Sequence, residues 1–156
     1  MSVQIGDLAP DFTLPDQTGT PVRLRQLLGR TAVVLYFYPK DSTPGCTIEA
    51  RTFQNSYDAF AQAGAEVVGI SSDSVGSHRR FAASEHLSFP LLSDRDGAVR
   101  ALYGVEKTLG ILPGRVTYVI DPAGIVRHVY SSQLMVTRHS TEALDALRAL
   151  SPVGPP

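Results

Sequence analysis

The chain carries a single cysteine, Cys46, among its 156 residues. That scarcity excludes an intramolecular disulfide and the Cys-x-x-Cys pair on which a dithiol oxidoreductase depends. A surplus of positive charge is also missing, with 14 Lys and Arg against 15 Asp and Glu and a formal net charge of −1. Nothing sequence-wide is available to grip a polyphosphate backbone, so nucleic acid is not an expected partner. No apolar stretch suggests a membrane span. Residues 1–10, with acidic Asp7, lack the basic-then-apolar order of a signal peptide, which makes a cytoplasmic location the expectation. The four histidines, His78, His86, His128 and His139, show no metal-ligand spacing, so no metal or cofactor is expected.

What is present is an ordinary globular composition, 43% hydrophobic and 19% charged. The length suits one domain, read here as residues 1–150, followed by a flexible tail at 151–156. After an N-terminal extension rich in turn formers, Ala32 to Tyr38 is apolar and β-rich without alternation, which predicts a central strand buried on both faces. Thr43-Pro44 offers an N-cap hydroxyl and a proline at the first helical position. A helix is predicted from Pro44 to about Ala63, with Ile48, Phe53, Tyr57 and Phe60 at helical spacing. Glu66 to Ser71 reads as a second buried strand and Ser77 to His86 as a helix. Arg115 to Ile120 and Ile125 to Tyr130 flank the turn signal Asp-Pro-Ala-Gly at 121–124 and predict an antiparallel hairpin. A closing helix over Thr141 to Leu150 carries leucines at 144, 147 and 150. A mixed sheet flanked by helices, half βαβ and half hairpin, is an α/β arrangement of the thioredoxin-like class.

With Thr43 as N-cap, Cys46 is the third helical residue, where backbone N–H groups lack partners and the helix dipole is positive. The dipole supplies only about 0.3 to 2 kcal/mol, against about 1.4 kcal/mol per pKa unit. A reactive thiolate at this position therefore needs a further cation. Arginine suits that task because it stays protonated and holds its donors in a rigid fork, and Arg115 is the candidate. Most lone cysteines are inert packing groups. The polar, turn-rich approach from Lys40 to Gly45 instead sets Cys46 at the mouth of a helix.

The segment Tyr38-Pro39-Lys40-Asp41-Ser42-Thr43-Pro44-Gly45-Cys46-Thr47-Ile48-Glu49-Ala50 resembles the active-site segment of the peroxiredoxins, particularly the bacterioferritin-comigratory (PrxQ) branch. The likeness extends through residues 6–16, 68–73, 89–94 and 115–121, and so covers nearly the whole chain. It implies a thiol-dependent peroxidase in which Cys46 is the nucleophile and Thr43 hydrogen-bonds the peroxide. It implies further that Arg115 stabilises thiolate and transition state, that Pro39 shapes the pocket, and that Glu49 supports. Many members of this branch carry a resolving cysteine five residues on or in the following helix. Arg51 stands at the first place and no thiol at the second, so the chain reads as a 1-Cys enzyme.

Recycling is then expected from an external thiol, whether thioredoxin, glutaredoxin or a small thiol, acting on a monomer or weak homodimer. Arg51, about 140° around an ideal helix from Cys46, is expected to face solvent. The rival reading is a non-enzymatic redox sensor or partner-binding module using the same thiol.

Overall fold

Strand β3 (Ala32–Phe37) is buried at every position, as its unbroken apolar run predicts. The structure, a computed structural model, describes residues 2–105 and 114–150. Val33, Leu35 and Phe37 point into one apolar layer, while Ala32, Val34, Tyr36 and Tyr38 point into the other. Alternation along a strand sends neighbours to opposite faces, so a strand with helices on both sides must be apolar throughout.

Around β3 lies a five-stranded sheet completed by β4 (Ala65–Ser71), β5 (Leu91–Ser93), β6 (Val116–Ile120) and β7 (Val126–Ser131), in the order β5-β4-β3-β6-β7. The β3–β4 and β4–β5 pairs are parallel; β3–β6 and β6–β7 are antiparallel. The expected parallel half and hairpin half are thus both present. The N-terminal extension folds into a small antiparallel pair, β1 (Thr13–Pro15) and β2 (Pro21–Arg23), leading into a one-turn helix α1 (Leu24–Leu27).

The helix predicted over 44–63 is two helices, α2 (Pro44–Asn55) and α3 (Tyr57–Gln62). Ser56 interrupts them with φ −99° and ψ 12°, its N–H reaching back to Thr52 and Gln54 carbonyls in a tightened turn. Ile48, expected on the apolar face, is exposed, whereas Cys46, Glu49, Ala50 and Phe53 face inward. Phe53 stacks on Tyr36 at 4.4 Å between centroids and fastens α2 to β3. Such a pair contributes about 0.5–1.5 kcal/mol beyond its buried area. Glycine is needed at position 69 of β4, because a Cβ there would lie 3.0 Å from the Tyr36 ring and 3.0 Å from Leu91.

Helix α4 (Val75–Glu85) begins at Ser74, whose hydroxyl accepts the Ser77 N–H, two residues before the expected start. Helix α5 (Ala98–Tyr103) was not foreseen. The last helix, α6 (Arg138–Leu150), starts three residues before the expected Thr141, and its extra turn buries His139 and Ser140. Its leucine stripe drifts as the three-residue spacing requires: Leu147 is buried, Leu144 half-buried and Leu150 exposed. The tail expected at 151–156 lies outside the described residues. No helix among the described residues is long and apolar enough to cross a membrane.

Candidate active site

Cys46 sits in the first turn of α2 with only 1% of its surface exposed. Thr43 has the extended backbone of an N-cap (φ −81°, ψ 155°), but its side chain accepts no N–H from the helix. Its hydroxyl instead donates to the Lys40 carbonyl at 2.8 Å, and Pro44 follows at N1. The first-turn N–H groups are therefore left uncapped by Thr43 and point outward with the positive helix end. With its hydrogen committed to Lys40, Thr43 presents lone pairs to any ligand. The sequence places Thr43 at this site; the structure makes it an acceptor rather than a donor.

Arg115 immediately precedes β6, opposite the end of β3, and reaches across to the helix mouth. Its Nη1 stands 3.5 Å from Cys46 Sγ and 2.5 Å from Glu49 Oε1. Its Nε donates to the Gln133 carbonyl at 3.3 Å and to Gln133 Oε1 at 3.2 Å. The guanidinium is thus pinned on two sides. Gly45 gives it room, since a Cβ there would come within 3.2 Å of Nη2. Burial weighs against the Arg115 charge, but Glu49 and Cys46 outweigh it and raise its pKa.

Glu49 is fully buried, and burial pushes its carboxyl up to about 8 against the downward pull of Arg115. Its Oε2 has no hydrogen-bond partner among the described residues. His139 stands nearby, with Nδ1 3.6 Å from that oxygen. The His139 Nε2 faces the Ser132 carbonyl at 2.8 Å, a pure acceptor, so the ring hydrogen belongs on Nε2. Its Nδ1 then accepts from the Thr117 hydroxyl at 2.7 Å. Burial pulls His139 down to about 4, so the ring is neutral and its approach to Glu49 is not an ion pair.

Pro39 follows Tyr38 at the end of β3 and is half-buried where the chain leaves the sheet. Of the five residues singled out from the sequence, Cys46 and Glu49 lie in α2 and are joined by Arg115, which precedes β6, while Thr43 is the N-cap of α2 and Pro39 lies two residues past β3. Arg51 faces away from the thiol as expected: it is exposed and pairs with Glu85 at 2.5 Å. His128, on β7, pairs with Glu142 at 2.9 Å.

Sequence reasoning missed the buried network beside the loop. Asp41, read as part of a polar approach, is buried and accepts from Tyr38 at 2.5 Å and from Ser77 at 2.8 Å. His78 sets Nδ1 2.7 Å from Asp41 Oδ2 and Nε2 2.9 Å from the Leu92 carbonyl. Asp73 takes the Asp41 N–H and the Ser71 hydroxyl. Asp41, Asp73 and His78 converge as a cation site would require, but these bonds already use their facing atoms to hold the loop. Positions 41, 73 and 78 come from three segments, so no local spacing announces them.

Residues 5–129 match the family described as AhpC/TSA. The chain belongs to that family, and it is a peroxiredoxin. It is 51% identical over 146 residues to a chloroplastic peroxiredoxin Q of Sedum lineare, covering 93% of this chain and 78% of that protein. Against the chloroplastic peroxiredoxin Q of Arabidopsis thaliana it is 50% identical over 148 residues, covering 94% and 68%. Among solved structures it is similar to the peroxidoxin BcpB of Mycobacterium tuberculosis, with a TM-score of 0.90, 45% identity and coverage of 96% and 99%.

A bacterioferritin comigratory protein of Xanthomonas campestris, described for its alkyl peroxide reduction activity, gives a TM-score of 0.84 at 37% identity and coverage of 94% and 96%. The resemblance read from residues 38–50 and the thioredoxin-like fold are both borne out. Like its relatives, this peroxiredoxin is a thiol-dependent peroxidase that takes peroxide as substrate and thiols as reductant. The redox-sensor alternative finds no support in these relatives.

Proposed function

We propose that Cys46 is the nucleophile that reduces peroxide, with Arg115, Thr43, Pro39 and Glu49 in distinct supporting roles. The observation that carries this reading is the 3.5 Å contact between Arg115 Nη1 and Cys46 Sγ at the positive end of α2. A helix end gives a thiolate little support by itself, and the fixed guanidinium beside it adds a full positive charge. The thiolate attacks one peroxide oxygen, an S–O bond forms, and the O–O bond breaks. The electron pair leaves with the second oxygen, which takes up a proton to become water or an alcohol. Charge grows on that oxygen in front of Arg115 and the first-turn N–H groups, where one preorganised donor is worth about 3–4 kcal/mol.

Thr43 receives the O–H of the incoming hydroperoxide on its lone pairs. Pro39, rigid and lacking an N–H, walls the pocket without competing for it. Glu49 orients the guanidinium. The product, a sulfenic acid, condenses with an external thiol to a mixed disulfide with loss of water. A second thiol then releases Cys46 as a thiol and leaves as the donor disulfide.

Because Cys46 is the only cysteine of the chain, both thiols come from outside, and thioredoxin, glutaredoxin or a small thiol fits that role. A reducing compartment such as the cytoplasm, and a monomer or weak homodimer, suit this cycle. The test is intact-mass spectrometry after one equivalent of hydrogen peroxide, with a dione present to trap sulfenic acid and rapid mixing to time it. A fast, stoichiometric adduct that Cys46→Ser abolishes is expected. A slow or absent adduct on the native protein overturns the assignment.

A further inference from the structure

Helix α5 contributes a buried arginine that the peroxidase reading has not used. Arg100 is 7% exposed, and its guanidinium lies 5.6 Å from the centre of the Phe37 ring. Among the described residues no carboxylate is in ion-pair contact with it. Asp94 acts on it from a distance, because both Asp94 oxygens accept backbone N–H groups, from Val99 at 3.1 Å and Arg100 at 2.9 Å. A buried cation without a contacting anion is costly to keep, so its other interactions call for an explanation.

Those interactions are two carbonyls. Arg100 Nη2 donates to Tyr38 O and Nη1 to Gly114 O, each at 2.9 Å. Tyr38 precedes Pro39, and Gly114 precedes Arg115. In the β3–β6 ladder the last paired residues are Phe37 and Val116, so Tyr38 and Arg115 are the next pair outward. The fork of Arg100 closes the ladder where its backbone bonds stop, and it does so between the two segments that carry site residues.

The charge balance points the same way. Around the thiol and its arginine stand Glu49, Tyr36 and neutral His139, and Cys46 itself interacts electrostatically with two cations, Arg115 and Arg100. Glu49 holds Arg115 a full ångström closer than the sulfur does, at 2.5 Å against 3.5 Å. Whenever Glu49 is ionised, Arg115 is shared between two anions, and Arg100 is the charge left over. We propose that Arg100 is a positioning residue of the peroxidase site: it fixes Pro39 and Arg115 against each other and adds a second buried positive charge within electrostatic reach of Cys46. This rests on the assignment of Cys46 as the nucleophile.

The experiment compares the native protein with Arg100→Met and Arg100→Lys, after circular dichroism has shown that each is folded. Two readouts are taken: the pH profile of Cys46 alkylation by iodoacetamide, and the second-order rate of sulfenic acid formation with hydrogen peroxide. Alkylation needs no peroxidase chemistry, and the chain has one thiol to report. In R100M the half-point of alkylation is expected to rise by about one pH unit, and the peroxide rate to fall about tenfold or more. In R100K the charge remains but the two-pronged geometry is lost, so alkylation follows the native profile while the peroxide rate falls about fivefold.

A folded R100M whose alkylation profile overlays the native one overturns the electrostatic part. An R100K rate within about twofold of native overturns the positioning part, and it does so even if R100M fails to fold. Slow sulfenic acid formation in the native protein would instead remove the nucleophile assignment, while the alkylation comparison would still report on Arg100.

Discussion

Cys46 and Glu49 share one nitrogen, Arg115 Nη1, at 3.5 Å and 2.5 Å. The two acids compete for the charge of Arg115 in a buried site. What one gains from the arginine the other loses, which couples the protonation of Glu49 to the reactivity of the thiol.

Glu49, with its carboxyl raised to about 8 by burial, is expected to ionise as the pH passes through that value. Its new charge draws Arg115 away from the departing oxygen, so the rate of sulfenic acid formation should fall above about pH 8. Glu49→Gln cannot ionise and should show no descending limb. Stopped-flow rates from pH 6 to 10 check this, and a limb that persists in the variant would assign it to another group.

Arg115→Lys keeps a charge but loses the fork that reaches Cys46, Glu49 and Gln133 at once. The peroxide step is expected to slow by about 10²–10³, with alkylation of Cys46 shifted to higher pH. A rate close to native would show that charge alone suffices and that the pinned geometry is incidental.

Arg51→Cys puts a thiol five residues after Cys46. On an intact helix the two stand about 7.5 Å apart along the axis alone, beyond the roughly 7 Å limit for an unstrained disulfide. Peroxide treatment should nevertheless yield a disulfide if the first turns of α2 open, because no side chain caps them and Ser42 ahead of them is left-handed at φ 65°. Non-reducing peptide mapping reads the result. A persistent sulfenic acid in place of a disulfide would show that α2 stays closed on that timescale.

His139 links stability to pH. Its folded pKa of about 4 lies below the ordinary 6.5, so between these values the unfolded chain binds a proton that the folded chain refuses. Stability from this residue is complete above pH 6.5 and is lost as the pH falls toward 4, by about 3 kcal/mol in all. Glu49, raised from 4.5 to about 8, works in the opposite direction over its own range. Removing His139 leaves only the Glu49 dependence, so His139→Gln should gain in urea midpoint at pH 4.5 relative to pH 7 compared with native protein. The same difference between the two midpoints in both proteins would show that His139 does not titrate as a buried neutral ring.

The parts of the fold that could be read from sequence are those written in neighbouring residues. The apolar run of β3 and the Asp121 to Gly124 turn of the β6–β7 hairpin each carry their own signal, and each element ends within a residue of expectation. The break at Ser56 escaped because the apolar spacing continues across it, and the kink resides in backbone angles alone. Arg115 was legible as a chemical necessity, since a helix end cannot ionise a thiol unaided. His139, Asp41 and Arg100 were not, because each acquires its meaning from partners dozens of residues away. Asp41 in a turn looks like any solvated aspartate until His78 and Tyr38 close over it.

The Thr43 hydroxyl spends its only hydrogen on the Lys40 carbonyl, and a small geometric choice becomes a filter on chemistry. In the proposed complex this oxygen can only receive, so the molecule seated before Cys46 must bring a hydrogen of its own. Hydrogen peroxide and alkyl hydroperoxides do. A dialkyl peroxide has the same weak O–O bond but nothing to offer Thr43, and a disulfide arriving by mistake has nothing either. The weak bond is what the thiolate breaks, while the terminal O–H is the password by which the loop admits it.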